Sequence, residues 1–161
     1  MILEHSDVLH TLAQVSITLA GFIGVILVFQ HADRSARNTI FHLLYTSLGV
    51  FCLSVFPLLI QPAFENLLLV DRICCPLMGL WHGYGSTRAF VESRRNELAL
   101  PSRSAMVFAT GSYLLLALGL AVGFGWLLDF STLVYFVGLG WLLAVAISAF
   151  ISLLFRGSAK A

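Results

Sequence analysis

An all-α bundle of five transmembrane helices is the fold this sequence predicts, and three observations predict it. The chain is 59% hydrophobic and only 11% charged, with a mean hydropathy of +0.94, outside the range of soluble globular proteins. Five apolar stretches, each near the length that crosses a hydrocarbon core of about 30 Å, are separated by short polar links. If those stretches alternate across a membrane, all but one of the nine Lys and Arg fall on one side. The expected organisation is a single transmembrane helical domain over residues 1–161, with spans near 8–29, 40–60, 67–89, 105–128 and 133–155. No length remains for a separate soluble domain.

The first span, Val8–Phe29, follows Ser6 and Asp7, a capping residue and an acid suited to the positive end of a helix dipole. The start of the chain is acidic and imidazole-bearing (Glu4, His5, Asp7, His10). A cleaved secretory signal begins with Lys or Arg and ends at a small-x-small site, so this segment is expected to be retained. Ser16, Ala20 and Gly24 lie four apart, a small-residue face that admits a second helix closely. His10, Gln14, Thr18 and Gly21 make a second stripe, either packing or a polar lining. The polar link 31–38 leads to the second span, Ile40–Ile60, in which Pro57 removes a backbone donor and predicts a kink.

The third segment, Leu67–Phe90, is the least apolar and carries Asp71, Arg72 and His82. The most charged stretch, Val91–Arg103, follows it, and Pro101 ends any continuing helix before Ser102 or Ser104 starts the next. Ala105–Leu128 and Leu133–Phe155 are joined by so short a link that they are expected to be antiparallel neighbours. Gly119 and Gly123 mark a close-approach face on the former, and Gly140, Ala144, Ser148 and Ser152 on the latter. Trp126 and Tyr135 flank the turn where an aromatic belt is expected.

The orientation follows from the cations. With five spans, Arg34, Arg37, Arg88, Arg94, Arg95, Arg103, Arg156 and Lys160 share one side, and the opposite links carry neither Lys nor Arg. The positive-inside rule then places the amino terminus outside and the carboxyl terminus in the cytoplasm. The alternative, four spans and a re-entrant third segment, separates Arg88–Arg103 from Arg34 and Arg37, against that rule.

The run Leu19-Ala20-Gly21-Phe22-Ile23-Gly24-Val25 is followed by a short link with Asp33, Arg34 and Arg37, then by a span ending Phe56-Pro57-Leu58-Leu59. This pattern resembles a group of small bacterial inner-membrane proteins known mainly as uncharacterised open reading frames. The resemblance covers roughly the first 65 residues and implies a bacterial inner membrane. It implies no activity, cofactor or functional residue.

Candidate functional residues are the polar groups inside the spans, because a mid-bilayer charge costs about 2.5–3.5 kcal/mol on insertion scales. Asp71 and Arg72 lie near the outer start of segment three, where an interfacial anchor or a local ion pair competes with a binding role. His82 comes eleven residues after Asp71, about 20° around the helix, with Cys75 and Met78 on the same stripe. A carboxylate and an imidazole on one face at two depths suit a proton or cation path, with Gln14, Thr18, His42 and Thr46 as a facing wall. The bland reading is a buried histidine bonded to a neighbouring helix. Arg88, Arg94, Arg95 and Arg103 form a basic patch expected to touch anionic lipid headgroups.

Other chemistry finds little footing. Cys52, Cys74 and Cys75 show no metal or disulfide spacing and read as small buried residues. Glu4, His5, Asp7 and His10 match no recognised metal site, no cofactor motif is present, and nothing reads nucleic acid. Three functions fit the architecture. They are a non-catalytic membrane subunit or scaffold, associating with a second copy or a partner membrane protein; an oligomeric channel or proton/cation pathway lined by Asp71 and His82; and a membrane-embedded enzyme on a lipid-like substrate.

Overall fold

Long apolar runs punctuated by Gly, Pro and polar links leave the backbone one economical way to satisfy its own hydrogen bonds, the α-helix. The computed structural model describes residues 2–29, 34–64, 66–95 and 103–158. Among the described residues there are five α-helices and no strand: α1 (Ser6–Phe29), α2 (Arg34–Ile60), α3 (Leu67–Arg95), α4 (Arg103–Gly123) and α5 (Ser131–Ser158). Short 3-10 turns at Ile2–His5, Gln61–Ala63 and Leu128–Phe130 adjoin them. Among the described residues four stretches are long and apolar enough to cross a membrane: Ser6–Gly24, Ile40–Ala63, Met106–Gly123 and Leu128–Ile151. The long helix α3 is not among them.

Several hydroxyls inside these helices bond back to their own backbone, the usual resolution in apolar surroundings, while those of Ser47 and Ser54 are buried without a partner among the described residues. Thr11 donates to the Asp7 carbonyl, Ser16 to Ala13, Thr18 to Gln14, and Thr46 to both His42 and Leu43, at 2.8–3.0 Å. Pro57 lies inside α2 within a turn of its end, where a missing N–H disturbs little of the helix that follows.

Helix α4 stops five residues short of the sequence expectation. Its end is a Schellman motif: Trp126 N–H reaches the Ala121 carbonyl at 3.0 Å and Gly125 N–H reaches Val122 at 2.9 Å. Gly125 has φ +88°, the left-handed conformation that closes this motif and that only glycine adopts without strain.

The chain divides into two compact units. The first combines Met1–Glu4 with Pro57–Gly138, and the second combines His5–Phe56 with Leu139–Ala161. In the second unit Ile23 of α1, Ile40 and Leu43 of α2 and Ala146 of α5 form a buried apolar cluster, packed around by Leu44, Ala149 and Phe150.

In the first unit α3 packs along α4. The contacts run in opposite directions along the two helices, so the pair is antiparallel. A Cβ on Gly119 would lie 2.5 Å from the Cys75 carbonyl oxygen, one on Gly79 would lie 3.1 Å from Leu116 Cα, and one on Gly123 would strike the Pro76 ring. Farther along, the Thr87 and Tyr113 hydroxyls share a 3.1 Å hydrogen bond. Gly119 and Gly123 therefore lie where two helices approach closely. The helix they admit is α3, through a stripe of its own, Cys75, Gly79, Gly83 and Thr87, also at spacing four.

Candidate functional site

The polar residues of α3 lie on the face turned toward the start of α5. Asp71, Cys75, Met78 and His82 recur at the helical period, and all four are buried, with Asp71 1% and His82 2% exposed. They meet Ser131, Tyr135 and Gly138, which recur at the same period on α5 and are buried too. The contacts advance in the same direction along both helices, so this part of α5 runs parallel to α3.

At one end of the seam the two Asp71 carboxylate oxygens have separate donors. The Ser131 hydroxyl donates to Oδ2 at 2.6 Å, a short charge-assisted bond, and the Ile2 backbone N–H donates to Oδ1 at 3.3 Å. Ile2 is itself fully buried, so the carboxylate fastens the opening 3-10 turn to both α3 and α5. The Ser131 carbonyl accepts from the Cys75 thiol at 3.5 Å, one turn deeper.

At the other end, a side chain on Gly138 would collide with the Met78 sulfur. The thioether fills the space that glycine leaves, and the two helices come close enough for His82 Nε2 to reach the Gly138 carbonyl oxygen at 3.1 Å. A carbonyl only accepts, so Nε2 carries the proton. In the neutral ring Nδ1 is then a lone-pair acceptor, and it is buried with no partner among the described residues.

Asp71 and Arg72, adjacent in sequence, part company in space. Asp71 turns inward to N–H and O–H donors, while Arg72 is exposed and lies against the α4–α5 turn, where a Cβ on Gly125 would come 2.9 Å from Nη2. An aromatic belt is expected of both Trp126 and Tyr135; Trp126 is 81% exposed at that turn, but Tyr135 is fully buried in the α3–α5 seam. The reason is register: Tyr135 lies one turn beyond Ser131 and faces the same way.

The remaining sequence candidates lie elsewhere. Gln14, Thr18 and His42 belong to the second unit, the first two exposed and His42 half-buried with a partner of its own. Ser16 is buried, Ala20 half-buried and Gly24 exposed, with nothing within 4 Å of where its Cβ would be. Gly140 and Ala144 are exposed and Ser148 is half-buried. The Ser152 side chain lies outside the described part of the structure. Arg88 is exposed and engaged by a neighbour; Arg94, Arg95 and Arg103 lie at helix ends, with side chains outside the described part. The cysteines are free thiols, Cys74 and Cys75 buried and Cys52 exposed. Among the described residues no group of three or more His, Cys, Asp or Glu is placed to hold a metal ion.

Sequence reasoning singled out Asp71 and His82 but missed their partners, Ser131 and Gly138, and the Gly79–Gly83 stripe. The glycine spacing was a readable signal. The two partners carried none, since a serine at a helix start and one glycine among thirteen are ordinary. Compared with known protein families, with curated proteins and with solved structures, the chain matches none of them, so its function rests on its own geometry.

Proposed function

We propose that this chain is a five-span integral membrane protein of a bacterial inner membrane. In this reading it is a non-catalytic subunit or scaffold that associates with a second copy or a partner through the outward face of α5. Four helices are apolar enough to span on their own account. The case for α3 as the fifth rests on how its surface is divided. Its polar stripe faces α5 and its glycine stripe faces α4, while Leu77, Leu80, Tyr84 and Val91 form an exposed apolar edge suited to lipid. Five spans also keep every Lys and Arg but Arg72 on one side, with the amino terminus outside.

One observation carries the association reading. The Cβ positions of Gly79 and Gly83 in α3, Gly119 and Gly123 in α4 and Gly138 in α5 are filled by neighbouring helices, whereas Gly140 has nothing within 4 Å of its Cβ position. Gly140 and Ala144 are exposed and continue into Ile147 and Ile151, 42% and 46% exposed, at spacings of four, three and four. Small residues flanked by branched ones at that spacing suit a helix–helix contact within lipid, where close packing rather than apolar burial drives association. The test is disulfide trapping in native membranes, in a background lacking the native cysteines. Cysteine at 140 or 144 should form a crosslinked species, cysteine at the equally exposed Leu114 of α4 should not, and Gly140→Leu should abolish the product. Monomeric protein under every condition, with no partner recovered, overturns the reading.

A second reading, a proton or cation path along α3, is favoured by the unpartnered Nδ1 of His82. The protein donors and acceptors already engaged by Asp71, Ser131 and His82 Nε2 weigh against it. Liposomes that show no flux from about pH 5 to 8, the histidine range, remove it.

A further inference from the structure

We propose that Arg72, seated on the α4–α5 turn, binds the phosphate of a phospholipid headgroup, with Phe124 and Trp126 holding the same turn at the membrane surface. The proposal rests on the membrane reading above and adds a lipid site to it.

The position comes from three chain segments meeting at one end of the first unit. Helix α3 begins at Leu67, α4 ends at Gly123 and α5 begins at Ser131. Arg72 is about 7–8 Å along α3 from its start, a depth from which an arginine side chain reaches the headgroup level. The side chain leans on Gly125, whose missing Cβ leaves room for the guanidinium: an alanine there would place carbon 2.9 Å from Nη2. The left-handed Gly125 that ends α4 is thus also the platform that orients the cation.

The chemistry comes from charge. Arg72 is the sole Lys or Arg in 57–87, and 104–155 contains none, so no other Lys or Arg of these segments competes with it. Its neighbouring carboxylate, Asp71, is turned away and held by Ser131 and Ile2. The other acid at this turn, Asp129, is exposed, and among the described residues it makes no ion pair with Arg72. A planar guanidinium with several N–H donors and no carboxylate partner among the described residues, at the boundary of a hydrocarbon layer, matches the oxygens of a phosphodiester. Trp126, 81% exposed, supplies an amphipathic ring of the kind that resides at headgroup depth, and the apolar ring of Phe124, 74% exposed, lies 6.1 Å from it between centroids.

The experiment uses the full chain. Alkaline extraction of membranes comes first: release of the chain removes the membrane reading and this proposal together. With the chain retained, purified protein in mild detergent is given phosphatidylglycerol, phosphatidylcholine, diacylglycerol with the same acyl chains, or inorganic phosphate. Retained lipid is counted by native mass spectrometry and stabilisation is read as a thermal shift. Wild type should retain both phospholipids and be stabilised by them, and diacylglycerol and inorganic phosphate should do neither. Arg72→Gln should weaken phospholipid retention by about fivefold, and Arg72→Lys should recover part of it. If Arg72→Gln does not fold, Arg72→Lys and Trp126→Ala, each retaining less phospholipid than wild type, decide the matter. Equal retention by the variants, diacylglycerol bound as well as phospholipid, or inorganic phosphate bound as tightly as lipid each overturns the proposal and leaves the membrane reading standing.

Discussion

Gly119→Ala should loosen the α3–α4 seam, and the size of the effect follows from its geometry. The new Cβ would lie 2.5 Å from the Cys75 carbonyl oxygen and 3.2 Å from its carbon, where ordinary contact begins at 3.4 Å. One backbone must therefore retreat by about 0.9 Å, the difference between 3.4 and 2.5 Å. No side chain can rotate aside, because the obstacle is main chain. The retreat is felt along the seam, since Gly79 is already within tight reach of the Leu116 backbone. A gap of about 0.5–1 Å forfeits roughly a quarter to a half of each dispersion well it opens. Between membrane helices that packing is the main attraction, so little else compensates.

Overpacking of this kind costs about 1–3 kcal/mol, and alanine returns about 0.5–1 kcal/mol in helix propensity. The net expectation is a loss of about 1–2 kcal/mol, a 5- to 30-fold fall in the folded-to-unfolded ratio. Gly140→Ala is the matched control. It meets nothing within 4 Å, so in a monomer it should be neutral or slightly stabilising. Reversible unfolding by sodium dodecyl sulfate in mixed micelles, followed by circular dichroism, measures both variants at a dilution that keeps the chain monomeric. Should Gly119→Ala unfold at the wild-type midpoint, or Gly140→Ala fall as far as Gly119→Ala, the assignment of Gly119 to the α3–α4 contact is refuted.

Four further substitutions use the same titration. Asp71→Leu and Ser131→Ala should each destabilise, and their double-mutant cycle should give a coupling of about 1.5–3 kcal/mol, that of a charge-assisted bond; strictly additive losses would contradict the 2.6 Å contact. His82→Leu should change stability by no more than about 1 kcal/mol, because it removes one hydrogen bond and an unpartnered buried acceptor together. A loss above about 3 kcal/mol would mean that Nδ1 has a partner in the native protein. Gly125→Ala should lose about 1–2 kcal/mol from the left-handed backbone alone, and wild-type stability would show that the turn relaxes to another geometry.

Much of the helical layout could be read from composition and punctuation. The boundaries that moved did so for local reasons: α4 ends at Gly123 because Gly125 closes a Schellman motif, a signal present in the string Gly-Phe-Gly but hidden within a longer apolar run. The candidate site was half legible. Eleven residues of spacing put Asp71 and His82 on one face of α3, and the helical period guarantees as much. Tyr135 shows the limit, for its residue type suits a membrane surface equally well as a buried seam, and only its register on α5 decides between them.

The sequence alone determined the all-helical class, the apolar stretches of membrane-crossing length and the distribution of cations among the links, since hydropathy and helical period are properties of a chain taken by itself. Tertiary structure decided which small-residue faces are occupied. Gly119 and Gly123 close on α3, while Gly140 and Ala144 face outward, although both pairs have the same spacing. It also decided that Asp71 is held by Ser131 and the Ile2 amide, and that Arg72 is left to the turn at Gly125. The physical reason is common to all of these. A helix's period says which residues share a face, but partners distant in sequence are set by how the helices pack, and no local pattern encodes that.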